Sequence, residues 1–105
     1  MRFLILVLAL CGTAQAEKQF YYFTDGESCP SCVVLERNLN DERVKNIPIV
    51  KNRVDIRKQS REVMQAWKVR GWPTLFMVET TTMRVLKRYD GALSPEDLVV
   101  FLTKE

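Results

Sequence analysis

The order of local patterns along the chain predicts an α/β fold, a minimal four-stranded mixed sheet with three helices in the order β-α-β-α-β-β-α. Three observations predict it. Strand-like runs at 19–24 and 49–56 flank a helical pattern over 30–44. A strand, a helix and a strand in one small sheet call for a parallel pair joined by a right-handed crossover. Two further strand patterns, 74–79 and 83–89, are separated only by Thr80-Thr81-Thr82 and read as a hairpin, the antiparallel edge of the sheet.

Each element has its own warrant. Gln19 to Thr24 is aromatic and apolar nearly throughout, as in a central strand covered on both faces. A polar turn, Asp25-Gly26-Glu27-Ser28, ends it. Pro30 suits a first helical turn, and Val33, Val34, Leu35 and Leu39 recur at helical spacing. Asn40-Asp41 loosens the last turns, and Pro48 fixes the stop. In 49–56, Val50, Val54 and Ile56 fall on one face and Lys51, Arg53 and Asp55 on the other. Ser60 caps a short helix whose apolar face is Val63, Met64 and Trp67. Val69-Arg70-Gly71-Trp72-Pro73 breaks it. Asp90-Gly91 signals a turn or bulge. Ser94 as N-cap, Pro95 at the first helical position and two acids start the final helix, which buries Leu98, Val99, Phe101 and Leu102.

The first sixteen residues read as a segment outside this domain. Arg2 is a minimal basic region, Phe3 to Leu10 an apolar stretch too short to span a bilayer, and Thr13-Ala14-Gln15-Ala16 an A-x-A-like cleavage site. The expectation is a signal peptide at 1–16 and a domain at 17–105, in a periplasmic or secreted protein. The competing readings are a buried first element, or a lipoprotein signal at Cys11, against which Leu10 speaks because a small residue is wanted there. Cleavage removes Cys11 and leaves Cys29 and Cys32, an even pair suited to an oxidising compartment. The chain carries 16 basic and 13 acidic residues, so loss of Arg2 takes the net charge from +3 to +2. That balance argues against a nucleic-acid partner. With no histidine there is no imidazole base and no His-containing zinc site.

The chemistry concentrates in Cys29-Pro30-Ser31-Cys32, where a strand hands over to a helix. Free backbone N–H groups and the helix dipole stabilise negative charge there. A cysteine so placed forms a thiolate near neutral pH. Cys29 is the candidate nucleophile, and Cys32, one turn on, can resolve it. A disulfide across so short a loop adds little stability, which favours a working pair over a staple.

With these elements in place the chain resembles the thioredoxin-like family over nearly all of 17–105. Cys29-Pro30-Ser31-Cys32 after a strand resembles the family's C-x-x-C site. Trp67-Lys68-Val69-Arg70-Gly71-Trp72-Pro73-Thr74-Leu75-Phe76 resembles the segment in which a cis proline opens a central strand. Tyr89-Asp90-Gly91-Ala92-Leu93-Ser94-Pro95-Glu96-Asp97-Leu98 resembles the glycine bulge before the last helix. A lone C-x-x-C is shared by zinc sites and chance, but its combination with Gly-x-Pro-Thr about forty residues later, in this element order, is specific.

The resemblance implies a cis bond at Pro73 and a loop packed on the cysteines, with the backbone of Trp72 pairing with an extended substrate. The Trp72 ring either flanks the substrate groove or packs as a half-buried aromatic. Pro30 and Ser31 are implied to tune the redox poise, Ser31 by donating to the Cys29 sulfur or by capping the helix. Three departures stand out. The layout is closer to the glutaredoxin-sized version, Ser28 replaces the Trp before the first cysteine, and Phe23 stands where many members keep a buried acid that moves the resolving cysteine's proton. Asp25, Glu27 or water would then take that part. Lys51 aligns with a lysine near that acid, although a solvated lysine on the strand face is the preferred reading.

The expected function is an exported thiol-disulfide oxidoreductase, without cofactor, acting as a monomer on protein thiols and disulfides. Electron flow in either direction fits, and a reductase would be fed by a membrane redox partner. The alternative is a binding module whose two thiolates hold a soft metal such as Cu(I) or Zn(II), or whose fold binds a protein partner. Two sulfurs alone leave a zinc site open.

Overall fold

In the computed structural model the described residues are 17–104, so the expected signal peptide and its cleavage site lie outside them. Strand β1 (Lys18–Thr24) leads through a 3-10 turn (Gly26–Ser28) into helix α1 (Pro30–Leu39) and a short helix α2 (Glu42–Lys45). Strand β2 (Val50–Asp55), a second 3-10 turn (Ile56–Lys58) and helix α3 (Arg61–Ala66) follow. The hairpin β3 (Thr74–Glu79) and β4 (Arg84–Asp90) and helix α4 (Pro95–Thr103) complete the order. The sheet order is β2-β1-β3-β4, with β1 parallel to β2 and antiparallel to β3, and β3 antiparallel to β4. The expected mixed four-stranded α/β sheet is therefore present, with β1 central.

The helix expected over 30–44 is two helices, which makes four in all among the described residues. Asp41 adopts an extended backbone (ψ 137°) and its carboxylate accepts the Arg43 N–H, so it caps a new start instead of continuing the old helix. Hydrogen bonds from Arg43 hold that carboxyl at about 2.

Alternation along the strands builds two cores. Phe20, Tyr22, Leu75 and Met77 point to one face and pack with Leu35, Leu39, Val44, Leu98 and Leu102 of the helices. Phe23, Phe76 and Val78 point to the other, where Met64, Trp67 and Val69 around α3 join them with Val54 and Ile56. Burying one such Phe or Leu contributes about 1.5–3 kcal/mol. Val50, expected on the apolar face of β2, is 52% exposed because β2 is an edge strand. Lys51 is not the solvated lysine expected. Its Nζ donates to the carbonyls of Ile47 and Ile49 at 3.0 and 3.3 Å, tying down the chain that enters β2. The register irregularity of the hairpin lies between Met77 and Val78, while Gly91, at φ +127°, follows β4.

Both ends of the last two helices are held by side chains. The Ser94 hydroxyl accepts the Asp97 N–H at 3.2 Å, and Lys87 Nζ donates to the carbonyls of Phe101 and Lys104 at the end of α4. Helix α3 ends in a Schellman turn: Lys68 N–H donates to the Gln65 carbonyl and Val69 N–H to the Met64 carbonyl, at 3.0 and 2.9 Å. The residue after its cap is Lys68, at φ +57°, a left-handed backbone that costs a lysine about 1 kcal/mol and a glycine almost nothing. Lys68→Gly is accordingly expected to raise the unfolding free energy by roughly 0.5–1 kcal/mol, read as a higher urea midpoint at unchanged slope.

Candidate active site

The end of β1 and the start of β3 meet because the two strands are antiparallel, with Phe23 opposite Thr74. From that meeting point β1 runs on through Asp25 to Ser28 and delivers Cys29. The turn depends on Gly26, at φ +66°, where a Cβ would lie 3.3 Å from an Arg57 guanidinium nitrogen and 3.4 Å from one of Arg53. Its N–H donates to the buried Thr24 hydroxyl at 3.0 Å, and its carbonyl accepts the Cys29 N–H at 3.3 Å.

Cys29 is the N-cap of α1, and its sulfur accepts the Cys32 N–H at 3.1 Å. The capping acceptor at this helix start is thus the candidate nucleophile itself, a part sequence reading had left open to Ser31. Ser31 and Pro30 are exposed in the first turn. Cys29 and Cys32 form a disulfide, with Cα atoms 5.1 Å apart. Cys29 is 7% exposed and Cys32 is fully buried, so Cys29 is the residue of the pair nearer the surface.

The second side of the site is the loop before β3. The Trp72–Pro73 peptide bond is cis, and the Trp72 carbonyl oxygen lies 3.7 Å from Cys29 Sγ. Thr74 Oγ1 donates to the Gly71 carbonyl at 2.7 Å, and Gly91 N–H donates to the Pro73 carbonyl at 2.8 Å, so the loop is braced from both neighbouring segments. Pro73 is buried, whereas Trp72 is 43% exposed. Exposed Val33 and Val34 add further apolar surface immediately after Cys32. The Trp72 loop also lines an open groove of about 680 Å³ with Lys68, Arg70, Arg88 and Asp90. Sequence reading did not single out these charged residues, because they come from two separate segments, the loop after α3 and strand β4.

Phe23 sits in an aromatic cluster with ring centroids 5.3 Å from Trp67 and 5.5 Å from Phe76. The acids near the cysteines are elsewhere: Asp25 pairs with Arg57 at 3.5 Å, and Glu27 is exposed. Among the described residues, no group of three or more His, Cys, Asp or Glu could hold a metal ion, and no helix is long and apolar enough to cross a membrane.

A family profile described as a thioredoxin-like domain matches residues 12–104. The chain belongs to this thioredoxin-like family. Among solved structures, a thioredoxin-2 described as a component of malaria parasite protein secretion machinery is 22% identical, with a TM-score of 0.70 over 85% of this chain and 84% of that one. Trxlp of Edwardsiella tarda is also 22% identical, with a TM-score of 0.66 over 91% of this chain and 93% of that one. Mitochondrial thioredoxin 3 of Saccharomyces cerevisiae is 14% identical, with a TM-score of 0.67 over 94% and 90%. At these identities the likeness is one of fold. No curated protein matches the sequence at a significant level. The thioredoxin-like fold, with Cys29 and Cys32 at disulfide distance, supports thiol-disulfide oxidoreductase activity, and proteins of this family act on protein thiols and disulfides.

Truncating Phe23 removes the ring that Trp67 and Phe76 pack against. Phe23→Ala is expected to cost about 3–5 kcal/mol of unfolding free energy, read from urea denaturation followed by tryptophan fluorescence.

Proposed function

We propose that the protein is an exported oxidoreductase that exchanges disulfides with protein substrates through Cys29 and Cys32. The observation that carries this reading is the Cys29 sulfur, hydrogen-bonded by the Cys32 N–H at the start of α1, on the less buried residue of the pair. The first turn of that helix and its dipole favour the thiolate over the thiol. The Cys29 thiolate attacks one sulfur of a substrate disulfide, forming a Cys29–substrate bond and releasing the other substrate sulfur as thiolate. Cys32, once deprotonated, then attacks Cys29 Sγ. The substrate leaves as a second thiolate, and the Cys29–Cys32 disulfide remains. Two electrons pass from the protein to the substrate, and the reverse sequence oxidises a substrate dithiol.

Trp72 and Pro73 supply the surface on which the substrate strand lies. The Trp72 backbone is beside the reacting sulfur and its half-exposed ring adds apolar contact area. Full burial of Cys32 keeps it from competing for substrate. The sulfur it attacks is its own neighbour. Pro30 and Ser31, exposed in the first turn of the helix that Cys29 caps, tune the poise from that position. The N-terminal signal reading places the protein in the periplasm or outside the cell, where such a pair would meet disulfide substrates.

Cys29→Ser is expected to lower turnover of insulin or a disulfide-linked peptide by at least about a thousandfold, since the remaining thiol, Cys32, is fully buried away from substrate. Cys32→Ser is expected to accumulate mixed disulfides, visible on non-reducing gels and cleaved by dithiothreitol. Undiminished turnover in Cys29→Ser would refute the assignment. Export is checked separately, by N-terminal sequencing of the protein from the extracytoplasmic fraction, which is expected to begin at Glu17.

A further inference from the structure

We propose that the groove beside Trp72 selects protein substrates with acidic side chains flanking the reacting cysteine. This rests on the oxidoreductase reading above and names its substrate class. Trp72 joins the groove to the site, since it lines the groove and its carbonyl oxygen lies 3.7 Å from Cys29 Sγ. A polypeptide that brings a disulfide to Cys29 along the Trp72 backbone therefore has its neighbouring residues at the groove.

The charge there is unbalanced. Arg88 is fully engaged: it pairs with Asp90 at 3.0 Å and donates to the carbonyls of Lys68 and Trp67 at 2.8 and 3.4 Å. Lys68 and Arg70 are exposed, and neither has an ion-pair partner among the described residues. The one carboxylate lining the groove, Asp90, is taken by Arg88, so two cations remain without an internal counter-charge.

An independent observation points the same way. Lys68 occupies the left-handed position after α3, where glycine would be unstrained, and Arg88 holds that backbone through the Lys68 carbonyl. A broken local rule beside a site marks a position kept for its side chain. Here the side chain supplies an ammonium group, which glycine cannot. Two unpaired cations next to the exposed face of Trp72 match an extended segment whose cysteine is flanked by Asp or Glu, with carboxylates over Lys68 and Arg70 and apolar contact on the indole.

The test uses the reduced protein and three disulfide-linked peptides, identical except that Glu, Ser or Lys flanks the cysteine on both sides. Each exchange rate is divided by that peptide's rate with dithiothreitol, which removes differences in intrinsic reactivity. The expected order is Glu, Ser, Lys, with a Glu-to-Lys ratio of at least about tenfold at low ionic strength that shrinks towards one in 1 M salt. Lys68→Glu/Arg70→Glu is expected to reverse the order, and Lys68→Ser/Arg70→Ser to erase it. Equal rates for the three peptides, or a Glu preference that survives in both variants, overturn the proposal while leaving the oxidoreductase reading standing. No exchange with any peptide overturns that reading and the proposal with it.

Discussion

The pairing of β1 with β3 is the constraint on which the site depends. It is antiparallel, and it sets Phe23 opposite Thr74. The chain leaving β1 and the chain entering β3 must then lie side by side at one end of the sheet. The first carries Cys29 and the second carries Trp72 and Pro73, forty-three residues later in sequence. Neither segment could hold this geometry alone. A buried strand with neighbours on both sides positions the two loops, and the bonds of Thr24, Thr74 and Gly91 fix their shape.

The same strand divides the molecule into two unequal layers. One face of β1 carries the larger core under α1, α2 and α4, and the other carries a smaller, mainly aromatic core under α3. Phe23 belongs to the smaller core. The position that many family members give to a buried acid is here part of a packed ring cluster, so its contribution is to stability. In the proposed mechanism, deprotonation of the buried Cys32 then draws on solvent, on the exposed Glu27 or on the substrate. Asp25 is committed to Arg57, and desolvation of a thiol works against its thiolate.

Around this frame the polar residues fall into two groups. Several charged side chains are engaged by the fold. Arg88 secures the end of α3, Lys51 the approach to β2, and Lys87 the end of α4. Lys68 and Arg70 are not consumed, and they border the loop that receives substrate in the proposed mechanism. Arg37, Lys45, Lys58 and Arg61 are also exposed without an ion-pair partner among the described residues, so the place of Lys68 and Arg70 beside the Trp72 loop, not the lack of a partner, makes them a local excess of positive charge at the site. The whole-chain charge of +3 hides it, because exposed acids elsewhere offset the local excess.

Much of this was readable from residue order. The aromatic run of 19–24, the hairpin at 74–90 and the Ser94-Pro95 helix start reflect local pattern and capping chemistry, and all three are present where expected. The Cys29-to-Cys32 spacing pointed to the chemistry only in combination with Gly71-Trp72-Pro73-Thr74 and the element order, because a C-x-x-C by itself is shared with zinc sites. The helix over 30–44 was misread as continuous, since periodicity does not register that Asp41 caps a new helix better than it extends an old one. The sulfur as its own helix cap, the tethered Lys51 and the groove cations were not legible, because each depends on groups from separate segments. Sequence alone determined which elements form and where the thiols lie, since both follow from neighbours within a few residues. Only the tertiary structure decided which surfaces the thiols face and which charges stay unpaired, since those follow from strand register and burial, and no local spacing encodes them.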